Sequence, residues 1–69
     1  MRHYIMYTYV IQGERFMKIM DFQEGRIIEV SVAEWEEGGL YYELAMDLEG
    51  FKRKINEGHY DYYPPKTKK

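Results

Sequence analysis

Glycine punctuates this chain at Gly13, Gly25 and the pair Gly38-Gly39. The runs between are rich in Tyr, Ile, Val, Met and Phe, residues that suit a pleated, half-buried surface. Turn signals repeated at roughly 8–12-residue spacing mark an antiparallel meander, because glycine supplies the positive φ that tight hairpin turns need. The spacing predicts four strands, about His3–Ile11, Arg15–Phe22, Arg26–Glu36 and Leu40–Met46, joined through QGE, QEG and EGG. From Asp47 the period changes. Leu48, Phe51 and Ile55 fall on one face of a helix. Asp47 is its expected N-cap and Gly58 its C′ residue. The fold class expected is therefore α+β: a four-stranded antiparallel β-meander with one C-terminal α-helix packed on one face.

Residues 1–63 form the expected single small domain, and residues 64–69 a flexible basic tail after Pro64-Pro65. A chain of 69 residues buries only about 60% of its unfolded surface, so its core is marginal. It has no cysteine, which removes disulfides and thiolate metal sites as supplements. Large rings or a partner must compensate. Eight tyrosines, three phenylalanines and one tryptophan are more than one small core needs, so some rings are expected at a surface.

The loop between the third and fourth expected strands decides the sheet faces. With a two-residue loop at Gly38-Gly39, Glu34 would oppose Glu43, an unfavourable like-charge pair. With the loop Glu37-Gly38-Gly39, Trp35 opposes Tyr41, and Ile28, Val30, Val32, Leu40, Tyr42, Leu44 and Met46 share the other face. The second register separates apolar from polar better and is preferred. It puts Trp35 and Tyr41 among Glu29, Glu36, Glu37 and Glu43. The first strand, YIMYTYVI at its centre, is apolar on both faces. A strand of that kind is usually covered on both sides. The tail tyrosines, a partner protein or a second copy of the chain would supply the second cover.

Charge runs unevenly. Residues 21–49 carry nine acids against Arg26 alone, while the flanking segments are net basic. Such asymmetry suggests a charged partner. Catalytic constellations are thin. Ser31 is the single serine, His59 with Asp61 makes at most two ligands where zinc needs three or four, and no phosphate-cradling glycine motif is present. No enzyme activity, cofactor or metal is expected. The N-terminal apolar run is too short to span a membrane and lacks a cleavage site, so a cytoplasmic location is expected.

Three functions follow. The leading one is a non-catalytic protein–protein interaction module that meets a basic partner through the acidic aromatic face, with Trp35 and Tyr41 as anchors and Glu29, Glu36, Glu37 and Glu43 as steering charges. The second is a nucleic-acid-binding domain in which strand-face tyrosines stack bases while Lys52, Arg53 and Lys54 neutralise phosphates. The third is self-association as a homodimer through the first strand. In size, acidity and lack of cysteine the chain is similar to small phage-encoded inhibitors of nucleic-acid enzymes, a likeness of style that carries over no residue and implies that the module inhibits such an enzyme through its acidic aromatic face.

Overall fold

The computed structural model describes residues 1–62. It has two layers: an antiparallel sheet of three strands in the order β1-β2-β3, and three short helices that contribute to a core on one of its faces. The strands are β1 (His3–Ile11), β2 (Glu14–Asp21) and β3 (Arg26–Ser31), and the helices α1 (Val32–Glu36), α2 (Tyr42–Glu49) and α3 (Lys52–Asn56). The expected flexible tail at 64–69 lies outside the described residues.

The first two hairpins follow the glycines. β1 and β2 are joined by Gln12 and Gly13, at φ 51° and 81°. Positive φ at both central residues is the signature of the type I′ turn, whose twist matches that of the flanking strands. β2 and β3 are joined across Phe22–Gly25, where Asp21 Oδ1 accepts the Gln23 and Glu24 N–H groups at 3.1 and 3.2 Å. In β1 the pairing steps from Ile5↔Ile19 to Tyr7↔Lys18, which leaves Met6 unpaired as a bulge. An extra residue exchanges the faces of everything after it. His3 and Ile5 therefore point inward before the bulge and Thr8 after it, while Tyr7 and Tyr9 turn outward. The expected grouping of Ile5 with Tyr7 and Tyr9 on one face is corrected by that single residue.

The fourth strand does not form, and the third stops at Ser31. Two competing signals explain this. Ser31 and Glu34 make a capping box: Ser31 Oγ accepts the Glu34 N–H at 3.0 Å, and Glu34 Oε1 lies 3.4 Å from the Ser31 N–H. This satisfies exposed amides at a helix start, where a strand would have needed a partner. Further on, Leu44 and Leu48 are spaced i, i+4, and Glu, Leu, Ala and Met around them are strong helix formers. Both leucines are 1% exposed, whereas Tyr42 is 76% and Met46 55% exposed. Alternation thus gives way to helical period. Asp47, the expected N-cap, lies inside α2. Gly50 ends α2 as its C-cap, so the expected single helix is two. Gly58, at φ 81°, follows the C-cap of α3 as expected.

Ile5, Met17 and Ile19 from the sheet meet Trp35, Leu44, Leu48 and Ile55 from the helices, with Ile28, Val30, Val32, Leu40, Phe51 and Tyr60 packed around them. Leu48 and Ile55 reach the core as expected, with Phe51 packed at its margin, but Leu44, expected on the sheet face that they cover, joins them from α2, and the helix packed against β3 is α1. Beyond α3 the chain returns to the outer edge of β1. Thr8 donates its N–H to Tyr60 O at 2.8 Å and accepts from the Tyr62 N–H at 2.7 Å, a parallel bridge between Thr8 and Asp61.

Candidate functional site

The core occupies one face of the sheet, so the alternation of β2 sends Phe16, Lys18 and Met20 to the other. Cross-strand pairing places Tyr4, Tyr7 and Tyr9 of β1 and Ile27 and Glu29 of β3 beside them. None of the three helices covers this outer face. Four rings follow one another across it. Tyr62 lies 5.4 Å from Tyr7, Tyr7 6.3 Å from Tyr9, and Tyr9 5.5 Å from Phe16 in a stacked arrangement. A second ring pair, Tyr4 and Phe22 at 6.3 Å, lies towards the opposite end. Tyr4, Phe22 and Ile27 are 59%, 63% and 52% exposed. The charges beside the rings are paired: Lys18 Nζ lies 3.0 Å from Glu29 Oε1, and the Tyr9 hydroxyl donates to Glu29. Where residues 60–62 join β1, a groove of about 570 Å³ is lined by Tyr7, Tyr9, Val10, Arg15, Lys18, Asp61 and Tyr62.

Buried polar groups hold this surface in place from behind. Asp21, fully buried, receives the Arg2 guanidinium through two bonds of 2.8 Å. Arg2 also reaches Glu43. The Arg2 bonds hold the Asp21 carboxyl well below the usual carboxylate range and hold Arg2 above its own. His3, 2% exposed, is held at both ring nitrogens, with Nδ1 2.8 Å from Asp47 Oδ2 and Nε2 2.7 Å from the Tyr41 hydroxyl. The bond from His3 lowers the Asp47 pKa. Phenol, imidazole and carboxylate stand in the order of a proton relay. Here the buried imidazole ties the start of β1 to α2 and to the residue before it. At the other end Arg15 holds Asp61 through bonds of 2.9 and 2.7 Å, and Thr8 Oγ1 donates to the same carboxylate. This clamp fixes residues 60–62 against β1 and so shapes the groove.

The residues expected to form an acidic aromatic face do not share one. Trp35 is buried in the core beneath Lys52, whose Nζ lies 5.4 Å from the ring centroid. Tyr41 is half-exposed but engaged by His3. Glu36 and Glu37 are exposed at the end of α1, and Glu43 on α2 pairs with Arg2. Glu29 alone lies on the outer sheet face. The expected Trp35–Tyr41 cross-strand pair is absent because neither residue is in a strand. Lys52, Arg53 and Lys54 lie on α3, in the helical layer and across the sheet from Tyr7 and Tyr9. The outer-face rings carried a readable signal, the two-sided apolarity of β1. One of the tail tyrosines supplies part of its second cover, as Tyr62 lies against Tyr7. Tyr60 goes instead to Phe51, 6.4 Å away and edge-on.

Among the described residues no group of three or more His, Asp or Glu side chains is placed to hold a metal ion. No helix among them is long and apolar enough to cross a membrane. Comparison of the chain with protein-family models, curated proteins and solved structures finds no match.

Proposed function

We propose that this chain is a non-catalytic protein–protein interaction module whose binding surface is the outer face of its sheet. The ring series Tyr62–Tyr7–Tyr9–Phe16 supports the reading most strongly, extended by Tyr4, Phe22 and Ile27 on a side that no described helix covers. Aromatic residues and methionine are enriched at interface cores and charges depleted there, and a contiguous apolar patch on a small domain marks an interaction site. Glu36, Glu37 and Glu43 on the helical layer would speed encounter with a basic partner without belonging to the anchoring face.

Nucleic acid is the second reading, since rings on an open sheet can stack bases. It is the weaker one. Lys18 and Arg15 are each held by a carboxylate, and the cations of α3 lie on the other layer. The likeness to phage-encoded inhibitors is one of size, acidity and lack of cysteine, and it adds to this reading a protein target alone.

The test is comparative capture from a nuclease-treated extract of the source cells. Wild type, Phe16→Lys, Ile27→Lys and the helical-layer variant Tyr42→Lys, at a position 76% exposed on α2, serve as bait. The proposal expects one protein retained by wild type and Tyr42→Lys and lost by the two outer-face variants. Retention by all four, or a signal that nuclease abolishes, would reject it.

A further inference from the structure

We infer that Tyr41 is a modification site, a phenol whose oxygen attacks an activated acyl group such as a thioester or aryl ester, with His3 as its general base and Asp47 as the positioning residue. The site lies on the core side of the sheet and stands apart from the protein-binding reading of the outer face. Asp47 Oδ2 lies 2.8 Å from His3 Nδ1 and accepts the His3 backbone N–H at 3.1 Å. A carboxylate can only accept. In the neutral imidazole Nδ1 therefore carries the ring proton, and Nε2 presents a lone pair. The Tyr41 hydroxyl, 2.7 Å from Nε2, donates to that lone pair. A hydroxyl in hydrogen-bond reach of a base that a third group orients is the arrangement of an activated nucleophile.

Burial and charge decide what this arrangement can do. The His3 side chain is fully buried and Tyr41 is 41% exposed, so a reagent from solvent meets the phenol while the imidazole acts behind it. Taking the phenolic proton makes His3 an imidazolium. Two carboxylates flank it, Asp47 at Nδ1 and Asp21, whose Oδ2 lies 4.0 Å from Nε2. Arg2, which pairs with Asp21 and Glu43, lies 5.6 Å over the Tyr41 ring and favours the negative charge that develops as the phenol gives up its proton. In the step itself the bond from Tyr41 Oη to the acyl carbon forms and the bond to the leaving group breaks. The phenolic proton goes to His3 Nε2, and the leaving group departs with the electron pair as a thiolate or aryloxide. His3, behind the phenol, is not placed to protonate a leaving group on the solvent side. That excludes amides and alkyl esters, which need the proton. The same burial keeps water from Nε2, so the acyl group stays and the site is modified once rather than turning over.

The probe is p-nitrophenyl acetate, applied to the wild-type chain, Asp47→Asn and Tyr41→Phe, each checked for its fold by circular dichroism. Peptide mapping by mass spectrometry follows the acetyl ester at each tyrosine. Hydroxylamine, which cleaves phenyl esters and spares amides, separates it from acetylated lysine. The expected result is Tyr41 acetylated roughly a hundredfold faster than Tyr4 and Tyr42, the lower end of what a positioned base contributes, although those two are more exposed, at 59% and 76%. The Tyr41 rate should level off above neutral pH, as for an imidazole base, whereas a rate carried by free phenolate climbs on towards about pH 10. Asp47→Asn keeps the shape of the side chain but offers Nδ1 an N–H, which moves the ring proton to Nε2 and removes the base. It should bring Tyr41 down to the rate of Tyr4 and Tyr42 with the fold intact, and Tyr41→Phe should remove the fast ester alone. Tyr41 reacting no faster than Tyr4 and Tyr42 in the wild type, or an unchanged rate in folded Asp47→Asn, would overturn the inference. Should Asp47→Asn fail to fold, the wild-type profile decides, and a Tyr41 rate that climbs without levelling rejects His3 as the base. Neither outcome touches the capture of a protein through Phe16 and Ile27.

Discussion

Leu44 and Tyr42 were expected on the same face of a strand, and the structure separates them. Leu44 is 1% exposed inside the core and Tyr42 76% exposed, so truncating each should give opposite outcomes. Leu44→Ala removes the equivalent of three methylene groups, a transfer loss of about 2.4 kcal/mol. The cavity left between Met17, Ile19 and the helices adds to this, for a total of about 3–5 kcal/mol. A chain of 69 residues has a whole stability of roughly 3–10 kcal/mol, so this one change removes a third of it or more. Tyr42→Ala should stay within about 0.5 kcal/mol of wild type. Urea unfolding followed by the fluorescence of Trp35, the single tryptophan and a buried one, measures both. Equal losses in the two variants, or a larger loss for Tyr42→Ala, would refute the helical assignment of residues 42–49.

Further outcomes follow from the buried polar groups. Asp21 and Asp47 both titrate below their ordinary value. The stability they contribute is therefore complete above the unfolded carboxylate pKa of about 3.9 and drains away as pH falls beneath it. Urea midpoints of the wild type should drop between pH 5 and pH 2 more than those of Asp21→Asn, and parallel profiles would contradict the pairing with Arg2. Ser31→Ala removes the acceptor that starts α1 and should cost about 1 kcal/mol by the same unfolding assay. A neutral effect would mean the capping box does not hold the turn out of β3.

The hairpins and the core-facing residues of the last helical segment were legible in the sequence because their signals are local. Gln12-Gly13 and Gly25 are turns by their own chemistry, and Leu48, Phe51 and Ile55 show their period within eight positions. The misreading of residues 32–46 was also local. The glycine pair and the alternating rings point to a hairpin, but Ser31-x-x-Glu34, a helix-start signal in plain view, wins over them. The bulge at Met6 is different. Nothing in YIMYTYVI marks which residue is extra, and the face assignment of Tyr7 and Tyr9 depends on it. The ion pairs are further out of reach. Arg2 meets Asp21, His3 meets Asp47 and Arg15 meets Asp61 across 19, 44 and 46 positions, and only the folded chain brings them together. The surplus of rings did announce a surface, but the fold moved it from the acidic hairpin to the back of the sheet.

The most direct measurement of that surface is NMR cross-saturation from the captured protein to the labelled chain. The account predicts attenuation of the Tyr7, Tyr9, Phe16 and Ile27 side-chain signals, with Tyr41, Tyr42 and Met46 left at full intensity. Attenuation confined to Tyr41, Tyr42 and Met46 would place the partner on the helical layer and contradict the account.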